Sequence, residues 1–225
     1  MVIKMNNIVI FGDSYSTYEG YIPNGYPSYY RPDGRPEGPD VTKMKVEETW
    51  WKQVISLMGG KLLLNNSWSG STIGYTGYGN ADCSKSSSFI FSYNQLKADG
   101  FFAANNVDTV FVFGGTNDSW ANAPLGELKF ADWAEKDLFN VLPAISYFAY
   151  QLKNDLPNAR IILIINTEIK EEIQDALEKV AAHYDLQSIR LRNIDKECGH
   201  PTKKGMKDIC SQILNVFIKK ALFYL

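Results

Sequence analysis

The sequence is poor in the residues that staple small folds or hold metals. Its three cysteines, Cys83, Cys198 and Cys210, fall in no C-x-x-C spacing, so neither a disulfide framework nor a cysteine zinc site is expected and the thiols read as free. There are two histidines, His183 and His200, and no His/Asp/Glu cluster at metal-ligand spacing. No apolar run approaches the ~18 residues of a membrane span, which argues against membrane insertion. Charge of neither sign prevails: 23 Lys and Arg against 25 Asp and Glu leave a net charge of -2, so no global field gathers polyanions, and nucleic-acid binding is not expected. The first apolar run, Ile8 to Phe11, is too short for a secretory leader and is followed by Gly12-Asp13-Ser14 instead of a small-residue cleavage site. The expected location is cytoplasmic, although a leader already removed would leave no trace.

What is present is an ordinary globular composition, 45% hydrophobic and 13% aromatic, enough apolar surface for one domain spanning residues 1–225. Three nearly uninterrupted runs of branched and aromatic residues, Ile8 to Phe11, Val107 to Phe113 and Arg160 to Ile165, read as strands covered on both faces. Lys61 to Leu64 and Leu186 to Leu191 are shorter candidates. Helical periodicity covers Val46 to Met58, Trp133 to Leu152, Lys170 to His183 and Lys203 to Phe223. Gly59-Gly60 closes the first of these helices and Pro201-Thr202 opens the last. Alternating strands and helices predict an α/β fold, an open parallel sheet of five strands with helices on both faces. Tyr18 to Asp40 and Trp68 to Ser88 read as long loops, which inside a compact domain are usually functional.

Ligands of open α/β sheets bind beyond the carboxyl ends of the strands, so the residues that follow each apolar run carry the information. These are Gly12-Asp13-Ser14-Tyr15-Ser16, Asn65-Asn66-Ser67-Trp68-Ser69-Gly70, Gly114-Gly115-Thr116-Asn117-Asp118, and Asp195-Lys196-Glu197-Cys198-Gly199-His200-Pro201. Singly, each has a bland reading: a serine after a strand caps a helix, Gly-Gly marks a turn, and His-Pro begins a helix. His183, at an Ala-Ala helix end, reads as a helix C-terminal charge. No G-x-x-x-x-G-K-[ST] loop occurs, and Gly74, Gly77 and Gly79 lack the strand-to-helix context of a dinucleotide site, so no cofactor is expected.

In order, Gly12-Asp13-Ser14, Gly70, Gly114-Gly115-Thr116-Asn117-Asp118 and Gly199-His200-Pro201 resemble the four blocks of the GDSL or SGNH hydrolase family, over nearly the whole chain. The resemblance implies a flavodoxin-like three-layer α/β/α sandwich and a serine esterase. It implies Ser14 as nucleophile, His200 as general base, and an oxyanion hole of the Ser14 N–H, the Gly70 N–H and the Asn117 side chain. A side chain at position 70 is expected to crowd the reacting carbonyl.

The sequence departs from the family at the acid, which the family places three residues before the histidine. Glu197 stands there, and the nearest aspartate is Asp195. Spacing favours Glu197, chemistry favours Asp195, and a Ser-His pair oriented by a backbone carbonyl is the third arrangement. Asp13 is expected to order its own turn, and Asp118 likewise.

Aromatic residues crowd these segments. Tyr15, Trp68, Tyr75 and Trp120 are the candidate walls of a substrate site, since rings stack on the C–H faces of sugars; of Trp50 and Trp51, at least one should be core. With no long apolar lid, this suggests removal of a small acyl group, acetyl, from an oligosaccharide or other small ester. A lipase, lysophospholipase or thioesterase and a catalytically idle carbohydrate-binding domain are the alternatives. A flavin carrier shares the sheet by analogy alone.

Overall fold

Strict alternation along the strands builds the architecture of the computed structural model, which describes residues 6–223, with side chains as far as residue 217. Met1 to Met5 lie outside the described residues. The strands are β1 (Asn7–Gly12), β2 (Lys61–Ser67), β3 (Thr109–Phe113), β4 (Arg160–Ile165) and β5 (Gln187–Arg190). They form one parallel sheet in the order β2-β1-β3-β4-β5. Successive side chains point to opposite faces. Ile8, Ile10, Phe111, Phe113, Ile162 and Ile164 therefore enter one buried cluster, while Val9, Phe11, Val110, Val112, Leu163 and Ile165 enter the other.

Each cluster needs a helical lid. On the first face α1 (Trp50–Met58) and α7 (Lys203–Phe223) supply Trp50, Trp51, Met206 and Ile213; both tryptophans are core. On the second, α2 (Phe89–Ala98), α5 (Val141–Asp155) and α6 (Glu171–His183) supply Phe89, Phe148 and Ile173. The result is the three-layer α/β/α sandwich expected from the sequence, with the flavodoxin-like strand order.

The register fixes where chemistry can sit. Gly12 pairs with Ser67 on one side and Phe113 on the other, and Phe113 pairs with Ile164. Four strands thus end at one level, and the segments after them emerge side by side.

Several local features differ from expectation. The helix expected over 46–58 is broken at Thr49 (φ −67°, ψ 145°), which separates a short 3-10 turn, Val46–Glu48, from α1. That expected over 133–152 is broken at Asn140 in the same way, so that α5 runs from Val141 to Asp155. Helix α2, with the short α3 (Phe101–Ala104) and α4 (Thr116–Trp120), forms where no amphipathic period is visible. In α2, Ser88 compensates by accepting the Phe91 N–H at 3.1 Å, an N-cap. A two-stranded antiparallel hairpin, β6 (Lys196–Glu197) and β7 (His200–Pro201), precedes α7.

Thr202 joins that hairpin to α7: its Oγ1 accepts the Gly205 N–H at 3.1 Å and donates to Asp195 Oδ2. Replacing it by alanine should lower stability in chemical denaturation by roughly 1 kcal/mol, with Thr202→Ser restoring most of the loss.

Candidate active site

Ser14 follows β1 by two residues, in a turn that Asp13 orders: Asp13 Oδ1 accepts the Tyr15 N–H at 3.0 Å and its carbonyl accepts the Ser16 N–H. The serine is 3% exposed, and its Oγ lies 3.0 Å from His200 Nε2. The two residues are brought together by the register and by the β6–β7 hairpin.

That hairpin turns through two residues, Cys198 (φ 49°) and Gly199 (φ 76°), both left-handed. Positive φ at both positions is the mark of the I′ turn, whose twist matches its strands; glycine takes it freely and Cys198 at a cost. The turn swings the Cys198 carbonyl back to His200, where the Nδ1···O distance is 3.0 Å. A carbonyl only accepts, so Nδ1 carries the proton. The neutral ring then presents the Nε2 lone pair to the Ser14 hydroxyl.

Neither expected carboxylate meets the ring. Glu197 pairs across the hairpin with His200, but its side chain is exposed and forms no hydrogen bond to the imidazole. The single Nδ1–H is already taken by the Cys198 carbonyl. Asp195 is turned to Thr202, accepting from its hydroxyl and, through the Asp195 carbonyl, from its N–H. Of the three arrangements open in the sequence, the geometry is that of the backbone carbonyl. With no carboxylate beside it, His200 is held below its ordinary value of 6.5. Burial is the main cause; the Cys198 carbonyl opposes it, and Arg35 and Lys196 reinforce it.

Aromatic rings hold the imidazole on several sides. Tyr29 stacks on it at 3.6 Å with an interplanar angle of 9°. Tyr15 lies 5.5 Å away, tilted, and Trp120 5.6 Å away, edge-on. Tyr15, expected as a substrate wall, is instead fully buried: its hydroxyl donates to the Gly199 carbonyl, as that of Tyr30 does to Pro201. Lys196 sits over the Tyr15 ring and anchors the hairpin to the end of β4 through Asn166, Thr167 and Glu168. Tyr75 is also buried, against Phe139, and is not a wall. Trp120, 41% exposed, and Trp68, half-buried against Tyr26, do stand at the surface.

The loop after β2 lies over the end of β1, with the Trp68 N–H donating to the Gly12 carbonyl at 3.0 Å. Gly70 has φ +92°, and a Cβ added there would meet no protein atom within 4 Å. Conformation, not crowding by the protein, demands glycine at this position. Helix α4 clamps the same loop. Asn117 Nδ2 donates to the Ser71 carbonyl at 2.9 Å, and the Asp118 carboxylate accepts the N–H groups of Ile73 and Gly74. Asp118 thus orders a distant loop and not its own turn. Tyr78, unremarkable among the aromatics of a Gly-rich loop, donates its hydroxyl to Asn117 Oδ1 at 2.8 Å and so fixes which way that amide faces. The N–H groups of Ser14 and Gly70 donate to no other described residue. Among the described residues no group of three His, Cys, Asp or Glu converges to hold a metal ion.

Beneath Ser14 lie two fully buried carboxylates. Burial pushes Asp13 up to about 7, with Asp118 adding repulsion, and pushes Asp118 up to about 6 against its backbone N–H partners. Asp13 Oδ2 has no partner among the described residues. A carboxyl raised by folding contributes its full stability below the ordinary value of 3.8 and loses it as pH rises through about 7. The stability of Asp13→Asn relative to the parent should therefore rise by a few kcal/mol between about pH 4 and 7 and level off above, in unfolding titrations at several pH values. A difference that does not change with pH would contradict the upward shift of Asp13 on folding.

Comparison with known proteins follows this geometry. The family profile described as GDSL-like lipase/acylhydrolase matches residues 6–217. Two crystal structures named as GDSL-like lipases are similar over almost their full lengths. The one from Bacteroides ovatus has 38% identity and a TM-score of 0.85, covering 97% of this chain and 100% of its own. The one from Bacteroides uniformis has 40% identity and a TM-score of 0.84, covering 94% of this chain and 95% of its own. A family two carbohydrate esterase from Clostridium thermocellum shares the fold at 16% identity and a TM-score of 0.64, covering 99% of this chain and 66% of its own. Among curated proteins none matches.

Proposed function

The chain belongs to the GDSL-like lipase/acylhydrolase family, and from that premise we propose that it is a serine esterase removing a small acyl group, acetyl, from a carbohydrate. The observation that carries this reading is the Ser14 Oγ to His200 Nε2 approach of 3.0 Å, with Nδ1 anchored at Cys198.

In this mechanism Ser14 Oγ attacks the ester carbonyl carbon while Nε2 takes its proton. The oxyanion of the tetrahedral intermediate is met by the N–H groups of Ser14 and Gly70 and by the Asn117 amide hydrogen not given to Ser71. The imidazolium returns its proton to the alcohol oxygen, which departs, leaving the acyl group on Ser14. Water, deprotonated by the same nitrogen, then releases the acid. Throughout, the Cys198 carbonyl accepts from Nδ1; as a neutral dipole it orients the ring without giving the imidazolium a full countercharge.

Support for a small acyl group and a sugar is of two kinds. The groove within the Tyr18 to Asp40 loop sets Glu19, Asn24, Ser28, Arg31 and Arg35 among Ile22, Tyr26 and prolines, and offers no continuous apolar channel for a fatty chain. Trp68 and Trp120 offer ring faces at the surface, and distant neighbours of the same fold include an acetyl xylan esterase from Butyrivibrio proteoclasticus. Short aryl esters and acetylated oligosaccharides should be turned over in preference to long-chain esters. The opposite preference would assign a lipase or lysophospholipase, and faster turnover of acyl thioesters a thioesterase. The missing carboxylate favours one other reading, an idle binding domain. Fluorophosphonate labelling lost in Ser14→Ala supports the esterase, and absence of labelling the idle domain.

Asn117→Ala should lower kcat by ~10²- to 10³-fold. Glu197→Gln and Asp195→Asn should each stay within about twofold of the parent, because neither touches the ring; a loss of ~10²-fold or more in one of them would restore a triad. Since His200 must be neutral to act as base and burial holds it low, kcat/KM should rise with pH through an apparent value below 6.5.

A further inference from the structure

The loop from Tyr18 to Asp40 encloses an open groove of about 520 Å³, lined by residues of that loop and not by Ser14 or His200. Its two cations differ. Arg31 is committed to Glu19 at 2.6 Å, whereas Arg35 is exposed and has no ion pair among the described residues. Of the acids of the loop only Glu19 lines the groove, beside Arg31 and Arg35; Asp33 and Glu37 flank Arg35 in sequence without lining it.

Arg35 is also placed. Its guanidinium lies 5.6 Å above the Tyr29 ring, and Tyr29 is stacked 3.6 Å from the imidazole of His200. At the other end of the groove, Tyr26 packs on Trp68 at 4.3 Å and the Pro27 carbonyl accepts the Ser69 N–H, next to Gly70. Residues lining the groove thus touch the loop after β2 directly and reach the imidazole through Tyr29. His200 hands its proton to the departing alcohol, so the alcohol half of the ester lies on the imidazole's side, where Arg35 stands.

Resting on the esterase reading above, we propose that this groove receives an acidic sugar, a uronate in the alcohol half of the substrate, whose carboxylate pairs with Arg35. A planar guanidinium meets a carboxylate through two parallel N–H···O bonds, a geometry that lysine does not reproduce. Such a pairing orients the sugar so that its acylated oxygen faces Nε2, and it selects against neutral sugars, which leave the guanidinium without a partner.

The test compares an acetylated oligogalacturonide with an acetylated xylo-oligosaccharide. The parent should favour the acidic substrate in kcat/KM, and Arg35→Gln should lower the acidic-to-neutral ratio about tenfold or more, chiefly through KM, with Arg35→Lys recovering part of it. Using the ratio cancels the influence of Arg35 on the basicity of His200, which both substrates share. No acidic preference in the parent, or a ratio unmoved by Arg35→Gln, overturns the proposal while leaving the esterase intact. If neither substrate is hydrolysed, the esterase reading fails, and titration with the deacetylated oligosaccharides decides for the groove alone. Tighter binding of oligogalacturonate than of xylo-oligosaccharide, lost in Arg35→Gln, supports it; equal binding overturns it.

Discussion

Everything at the site depends on one hydrogen bond between a ring nitrogen and a backbone carbonyl. Because the Cys198 carbonyl can accept but not donate, it fixes the imidazole tautomer, and with it the side of the ring on which a lone pair faces Ser14. The bond exists only while the hairpin turns through two left-handed residues. The hairpin in turn is gripped from outside itself, by the hydroxyls of Tyr15 and Tyr30 on its carbonyls and by Lys196 reaching to the end of β4. What a carboxylate side chain would do by charge is done here by backbone shape.

The opposite half of the site follows a different rule. The loop after β2 is tied to the end of β1 by the Trp68 N–H and is clamped by α4, through the amide of Asn117 and the buried carboxylate of Asp118. Desolvating Asp13 and Asp118 side by side is costly, and Asp13 keeps an oxygen without a partner among the described residues. The cost falls directly beneath the serine, where a fixed backbone matters most.

Much of this was legible in the sequence because it is carried by pattern. Nearly uninterrupted apolar runs located all five strands of the sheet, and the resemblance carried by the polar residues just beyond them named Ser14 and His200, which the fold brings within 3.0 Å of each other. Helix α2 was not legible, since its apolar residues follow the cavity it fills and not one face of a helix. The aromatic residues were read as one class, yet Tyr15 and Tyr75 are buried supports whereas Trp120 stands at the surface; exposure of a ring depends on what packs over it, which no local spacing records. The choice among Glu197, Asp195 and a backbone carbonyl stayed open for a related reason. Residue type at positions 195 and 197 says nothing about where a carbonyl at 198 points, because that is decided by φ. The pair Cys198-Gly199 was the available sign of a tight turn, and Tyr78 left no sign at all.

Ser14 and His200 stand 186 positions apart, with four of the five strands of the parallel sheet, β2 to β5, encoded between them. During synthesis the hydroxyl emerges well before its proton acceptor. Parallel pairing delays matters further, since each strand must wait for a crossover before it can dock. A chain still being made, or one that has lost its final helix and hairpin, carries the serine without the imidazole. Reactivity is thereby tied to closure of the sheet: the hydroxyl gains its partner only once the strands encoded after it have docked and the hairpin has folded back.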